Sequence, residues 1–195
     1  MTTVPPQAVI LAGPNGSGKT TCASLILTPE MVFVNADMIA QQMSGEPSAA
    51  ANIGAGRRLI QILDALVEDR IDFAVETTLA TRALADRILD WRAAGYQVHL
   101  FFFWLPSADL SVERVAARVR NGGHDVPEST IRRRFAAGLR NFFERYIPLT
   151  NSWRMYDNSR GGDPMLIASG YGSLPFRVLR PEIWDEMHRK YAHAR

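Results

Sequence analysis

The residues Gly13-Pro14-Asn15-Gly16-Ser17-Gly18-Lys19-Thr20 carry the densest chemistry in the chain, and the apolar run Ala8-Val9-Ile10-Leu11-Ala12 leads straight into them. A glycine, four residues and then Gly-Lys-Thr is the spacing of a phosphate-binding loop. Its glycines let the backbone curl so that successive N–H groups face a phosphate. A helix opening at the loop's end would add the positive end of its dipole. Lys19 is expected to reach the β- and γ-phosphates, and the Thr20 hydroxyl to ligate Mg²⁺. Cys22 to Leu27 continues as an apolar helical turn, which makes the segment a strand, loop and helix. Gly13 to Thr21 are therefore the expected contacts of a nucleoside triphosphate, with ATP and Mg²⁺ as the expected cofactors. The plain alternative is a glycine-rich turn between a strand and a helix.

A phosphate loop is shared by kinases, hydrolytic switches and motors, so the ends of the other strands must separate them. No strand of four apolar residues closes on Asp-Glu or Asp-x-x-Gly, as the hydrolytic machines would supply. Asp37 instead follows the second expected strand. A carboxylate there can accept the proton of a substrate hydroxyl that attacks the γ-phosphate. It could equally cap the helical turn at Met38 to Gln42. Glu76 closes the third expected strand, where a buried carboxylate at a sheet's end needs a partner. It could hold Mg²⁺ through water or accept a hydrogen bond from a substrate hydroxyl, with Thr77 and Thr78 in the same crevice. Arg114 and Arg118 lie four apart on one helical face, with Arg120 just after and a Gly122-Gly123 hinge beyond. Arginines on a mobile lid can offset charge on the γ-phosphate and exclude water. Arg118 and Arg120, nearest the hinge, are the expected pair. Arg132, Arg133, Arg134 and Arg140 read mainly as a solvated face paired with acids such as Glu128. Asp157-Asn158-Ser159 follows the fifth expected strand, where a loop over the adenine would place Asn158. His124 has no neighbour at metal-ligand spacing.

Positioning these residues calls for short apolar runs alternating with helical segments, the pattern of βαβ units around a parallel sheet. The expected strands are Ala8–Ala12, Val32–Val34, Asp72–Val75, Gln97–Trp104 and Trp153–Asp157, with Met165–Ser169 returning as an antiparallel edge strand. The expected helices run from about Gly18 to Leu27, Ala50 to Arg70, Arg82 to Ala94, Leu110 to Arg120, Asp125 to Tyr146, and onward from Pro181. A break is expected at Ser44 to Ser48, a helix stop at Gly95, and a capping box at Asp125 with Glu128. The fold class is α/β, a doubly wound sheet of five mainly parallel strands plus one antiparallel edge strand, with a helical arginine-rich lid at about 109–146. Ligands in such sheets gather at the carboxyl ends of the strands.

The 195 residues suffice for one domain with a full core. A net charge of +2 does not argue for a nucleic-acid-binding surface. The lone Cys22 excludes an internal disulfide and reads as a packed core thiol. Met1 to Gln7 has neither a positive region nor an apolar core, and the run Val98 to Leu105 is too short to span a bilayer. A cytoplasmic protein is expected.

With GPNGSGKTT, Asn35-Ala36-Asp37, Glu76-Thr77-Thr78-Leu79 and Arg118-Val119-Arg120 in one order, the chain resembles the zeta toxin family of P-loop kinases from about Ala8 to Ser159. The resemblance implies transfer of the γ-phosphoryl group of ATP, with Mg²⁺, to a hydroxyl of UDP-N-acetylglucosamine or a related sugar nucleotide. It also implies a small antitoxin protein as a partner. It makes Lys19 and Thr20 the nucleotide and metal residues, Asp37 the base, Glu76 and Thr78 the sugar-nucleotide contacts, and the lid arginines the charge stabilisers. Ala80 departs from the basic residue such toxins tend to carry there. Antibiotic phosphotransferases of chloramphenicol type share the loop and an early aspartate. A nucleotide-dependent switch or binding protein and a polynucleotide end kinase stand as the competing classes.

Overall fold

The computed structural model describes residues 4–44 and 49–192. Strand β1 (Gln7–Ala12) lies at the middle of a sheet in which five strands run parallel, flanked by β3 (Phe73–Thr77) and β4 (Gln97–Trp104). β2 (Val32–Asn35) pairs outside β3, and β5 (Ser152–Asp157) outside β4. β2 and β3 lie on one side of β1 and β4 and β5 on the other, so the strand order reverses at β1, the point at whose carboxyl end ligands of open α/β sheets bind. Alternate residues explain why the strands read as continuous apolar runs. Ala8, Ile10, Val98, Leu100, Phe102, Phe73 and Val75 point into one buried core. Val9, Leu11, Phe101, Phe103 and Ala74 point into a second core on the other face, with Cys22 and Ala23. Both faces are covered, as a parallel sheet requires.

On the larger core pack α3 (Ala49–Glu68), α4 (Ala83–Ala93) and the segment from α6 (Glu128–Asn141) onward. Leu59 and Leu63 of α3 and Leu84, Ala85, Ile88 and Trp91 of α4 are buried, the stripe their spacing implies. α4 stops at Gly95, where Gly95 N–H bonds Arg92 O and Tyr96 N–H bonds Trp91 O, the expected C-terminal closure. α5 (Ala108–Arg120) begins at Ser107, whose side chain accepts from Leu110 N–H. It shares a small core with α6, built from Val115, Val126 and Ile131.

Several expectations are corrected. Helix α1 covers only Lys19–Ala23, not Gly18 to Leu27. Leu25 turns outward, and Pro29 restrains the residue before it. Glu128 does not close a capping box with Asp125. Pro127 stands at the start of α6 without a side-chain cap, and Glu128 pairs with Arg132 at 2.8 Å instead. The long helix does not run evenly to Tyr146, because Phe142–Tyr146 forms a π-helical turn before the short α7 (Ile147–Leu149). The wider turn lets the adjacent Phe142 and Phe143 both go inward, onto Phe102 and Trp184 respectively. The expected edge strand is not the edge. β6 (Met165–Tyr171) runs antiparallel to β5 and is itself covered by β7 (Leu174–Val178), giving seven strands among the described residues. The sequence Leu174-Pro175-Phe176-Arg177-Val178 is exposed throughout and carries a proline, so its pattern hid a strand. The break expected at Ser44 to Ser48 falls on residues 45–48, outside the described residues. α2 (Ala36–Ser44) and α8 (Pro181–Tyr191) complete the chain. Among the described residues no helix is long and apolar enough to cross a membrane.

Candidate active site

The loop leaves β1 under close constraint. Gly13 has φ +142°, and a Cβ there would fall on Phe103 O of β4 and on Ser17 Oγ. Gly18, at φ +82°, leads into α1, and a Cβ there would meet Asn158 Nδ2 at 2.5 Å, so a side chain at either position would disturb the loop. Lys19 is only 6% exposed. Its Nζ donates to Gly13 O and Pro14 O at 3.0 Å each and lies 3.7 Å from Glu76 Oε1. Burial pushes the ammonium pKa below its usual value, while the Glu76 and Asp37 charges act to raise it. The lysine is thus bent back over its own loop, charged groups around it, poised to re-aim at phosphate. A five-residue α1 carries little dipole. The expected helix contribution is therefore small, which leaves the loop amides as the main donors a phosphate would meet.

Around Lys19 the strand ends converge. Glu76 Oε2, at the end of β3, accepts from Thr20 Oγ1 at 2.7 Å and from Asn35 Nδ2 at 2.9 Å. Asn35, buried at the end of β2, uses its other side-chain atom to accept from Asp37 N–H at 2.8 Å and Met38 N–H at 3.4 Å. That places the cap of α2 on Asn35. Asp37 is not the cap. Its carboxylate is exposed, lines the same cavity as Lys19, and has no bonded partner among the described residues. Thr20, Glu76 and Asp37 present hard oxygen ligands, which suit Mg²⁺. Among the described residues no three His, Cys, Asp or Glu side chains form a metal cage, so such an ion would draw the rest of its shell from water and phosphate oxygens.

One cavity of about 900 Å³ gathers Asn15, Gly16, Gly18, Lys19, Thr20, Thr21, Asn35, Asp37, Glu76 and Thr78. Beyond the loop it widens into a chamber between α3 and α4, walled by Gly56, Leu59, Ile60, Ala80, Ala83 and Leu84, with Arg57 and Arg134 at its rim. The chamber floor is held rigidly. Leu79 sits at φ +55°, an unusual conformation for leucine, fixed by its N–H to Thr77 Oγ1 at 3.0 Å and its carbonyl to Asn141 Nδ2 at 2.6 Å. Tyr146 OH donates to Thr81 O at 2.9 Å, and burial pushes that phenol up to about 12. The π-helical turn is what brings Tyr146 there.

The arginines divide differently from the sequence expectation. Arg118 lines the cavity, donates from Nη2 to His124 O at 2.7 Å, and keeps a buried Nε–H with no partner among the described residues. Arg120 is exposed and outside the cavity. Arg114 and Arg134 line it instead. Asn158 has a role inside the protein that the sequence does not show. It is buried behind the loop, where Nδ2 donates to Ser17 O at 2.7 Å and lies 3.9 Å from Cys22 Sγ. Gly13, Pro14 and Ser17 do not line the cavity; the Gly13 and Pro14 carbonyls reach it only through Lys19 Nζ. The 3.6-residue spacing of Arg114 and Arg118 held the signal for Arg114. Nothing in the sequence marks Ser111, whose Oγ donates to Asn15 O, because a serine inside an amphipathic helix has no distinctive neighbours.

A family model described as zeta toxin matches residues 2–160. An uncharacterized protein of Haemophilus influenzae is 30% identical over 129 residues, which is 66% of this chain and 92% of that protein. In the crystal structure of AvrRxo1-ORF1 with AvrRxo1-ORF2 and ATP, a chain superposes with a TM-score of 0.73 at 20% identity, over 94% of this chain and 63% of that one. The chain therefore spans 63% of the length of that relative. A chain of the PezAT toxin–antitoxin system of Streptococcus pneumoniae superposes with a TM-score of 0.63 at 16% identity, over 97% of this chain and 87% of that one. At these identities the superpositions speak for the fold.

Proposed function

The chain belongs to the zeta toxin family of P-loop kinases, and from that premise we propose that it is an ATP-dependent phosphotransferase acting on a hydroxyl of a small molecule, a nucleotide sugar of the UDP-N-acetyl class. The observation that carries this reading is one cavity in which Asp37, with no partner among the described residues, shares space with Lys19, Thr20 and Glu76 beside the chamber walled by α3 and α4. A hydrolytic switch has no use for such a chamber. An acceptor does.

On this reading the triphosphate lies along the loop, with Lys19 turned from Gly13 O and Pro14 O toward the β- and γ-phosphates. Thr20, directly, and Glu76, through water, would hold Mg²⁺, which supplies positive charge to the β- and γ-phosphate oxygens. Thr78 and the chamber walls orient the acceptor. Asp37 takes the proton from the acceptor hydroxyl as its oxygen forms a bond to the γ-phosphorus, and the bond from that phosphorus to the β,γ-bridging oxygen breaks. ADP and the phosphorylated acceptor leave. Lys19 and Arg118 offset the charge that gathers on the transferring oxygens. A cognate antitoxin protein is the partner to expect, by analogy with the PezAT system and the AvrRxo1-ORF1 complex. A kinase of this kind draws on cytoplasmic ATP.

Incubation of the protein with ATP, Mg²⁺ and a pooled metabolite extract, followed by mass spectrometry, tests the reading against Lys19→Ala. A UDP-N-acetyl sugar that gains one phosphate only with the unmodified protein supports it. Another phosphorylated small molecule keeps the kinase and removes the nucleotide sugar. Steady ADP release without any phosphorylated product overturns the kinase reading in favour of a switch.

A further inference from the structure

Three consecutive carbonyls on the outside of the phosphate loop each accept a side-chain hydrogen bond, and each from a residue distant in sequence. Ser111 Oγ donates to Asn15 O. Arg114 Nη1 donates to Gly16 O at 3.4 Å, and Asn158 Nδ2 to Ser17 O at 2.7 Å. The donors are well rooted. Ser111 and Asn158 are buried. The Arg114 guanidinium also donates to Asn158 O at 2.9 Å and Ser159 O at 2.7 Å, so the attachment from α5 and the attachment after β5 brace each other. The loop glycines fit against the same groups. A Cβ on Gly16 would meet Arg114 Cβ at 2.9 Å, and one on Gly18 would meet Asn158 Nδ2 at 2.5 Å.

A trans peptide is planar, so the carbonyl of one residue and the N–H of the next point in opposite directions. Holding the carbonyls of Asn15, Gly16 and Ser17 outward therefore turns the N–H groups of Gly16, Ser17 and Gly18 to the other side of the loop. Ser17 N–H is satisfied across the loop by Pro14 O at 3.2 Å. Those of Gly16 and Gly18 have no partner among the described residues. We propose that Ser111, Arg114 and Asn158 are positioning residues that lock these peptide planes before nucleotide arrives, so that phosphate meets a loop already in its binding form. The proposal rests on the reading of this loop as an ATP site and deepens it. Without the clamp, Asn15, Gly16 and Ser17 can rotate their carbonyls inward, where they repel phosphate, and binding must then order the loop.

The test compares the unmodified protein with Ser111→Ala, which removes one oxygen, Asn158→Asp, which keeps the shape and removes the donor, and Lys19→Ala. Calorimetric titration with ADP and with pyrophosphate is run well below each variant's melting temperature, beside amide exchange of the segment 14–18. Both clamp variants should bind both ligands on the order of tenfold more weakly. They should also exchange those amides faster in the free state. Pyrophosphate isolates the loop from any contact with the base. Unchanged affinity and unchanged exchange in a folded clamp variant would show that these bonds only stabilise the fold, and would overturn the proposal. Should Asn158→Asp fail to fold, Ser111→Ala still decides. Failure of the unmodified protein to bind either ligand would instead remove the ATP reading, and the exchange rates alone would then judge the clamp.

Discussion

Replacement of Asp37 by asparagine isolates the proposed base, because the structure separates its side chain from its backbone role. The start of α2 is capped by Asn35 Oδ1 through the Asp37 and Met38 N–H groups, and Asp37→Asn leaves both bonds in place. The side chain is exposed and makes no bond that the fold depends on, so stability should move by less than about 0.5 kcal/mol. The charge does act on Lys19, whose buried ammonium it helps to keep protonated, but Glu76 stands first among the groups doing so and lies 3.7 Å away. ATP affinity should accordingly hold within about threefold. Phosphoryl transfer should not. A positioned general base contributes roughly 100- to 10,000-fold, about 3 to 5 kcal/mol of barrier. Single-turnover formation of phosphorylated acceptor from saturating ATP should fall by that factor, while calorimetric ATP binding is retained. A variant that transfers within about threefold of the unmodified rate would refute Asp37 as base. One that loses ATP binding as well would show that the charge serves Lys19 first.

Gly138 of α6 packs on the carbonyl of Thr78, where a Cβ would fall on the oxygen. Gly138→Ala, ordinarily favourable in a helix by up to about 1 kcal/mol, should therefore destabilise by about 1–2 kcal/mol. That corresponds to a fall in melting temperature of roughly 3–6 °C, and a rise would refute the close packing of α6 on the chamber floor. His99 joins three strands through Ser152 Oγ at 2.7 Å and Gln7 Oε1 at 2.8 Å, and burial, aided by the Arg154 charge, pushes its imidazole pKa down. Its neutral form belongs to the fold, so its contribution is fully present above the unfolded value of about 6.5 and is lost as pH falls through the lower folded value. Melting temperature should decline over that acidic window, and His99→Gln should flatten the decline. An identical pH profile in the variant would remove His99 as the cause.

What the sequence makes legible follows the physics of spacing. The loop, the five parallel strands and the placement of Lys19, Thr20, Asp37 and Glu76 at strand ends come from local patterns, a fixed motif and apolar runs buried on both faces. Residues whose role depends on a partner far along the chain do not announce themselves. Asn158 reads in the sequence as a residue of the loop after β5, and only the fold shows it reaching Ser17 across more than a hundred residues. Arg118 and Arg120 were equivalent by nearness to the glycine hinge, yet two residues on a helix differ by about 200° in direction, which sends Arg118 to the cavity and Arg120 to solvent. β7 has no signature in the sequence, because every one of its residues is exposed and no alternation marks it. The π-helical turn is equally silent in the sequence, because a shift from four-residue to five-residue bonding answers the tertiary demand to bury Phe142, Phe143 and Tyr146 together.

The two polar networks that meet at the phosphate loop differ in what nucleotide asks of them. On the inner side, Lys19 is bonded to Gly13 O and Pro14 O, and Thr20 to Glu76; these donors must exchange partners when phosphate and metal arrive. On the outer side, Ser111, Arg114 and Asn158 hold carbonyls that no ligand needs. Binding then costs the re-aiming of two side chains and leaves the loop backbone where it stands. The same anchors bear on the arginine-rich segment. Its first helix is fixed to the loop at Ser111 and Arg114, so on the proposed reading any closure of that segment would occur beyond Arg114. Arg118, one turn farther on and bonded among the described residues to His124 O, is the cavity-lining arginine that such a closure would carry.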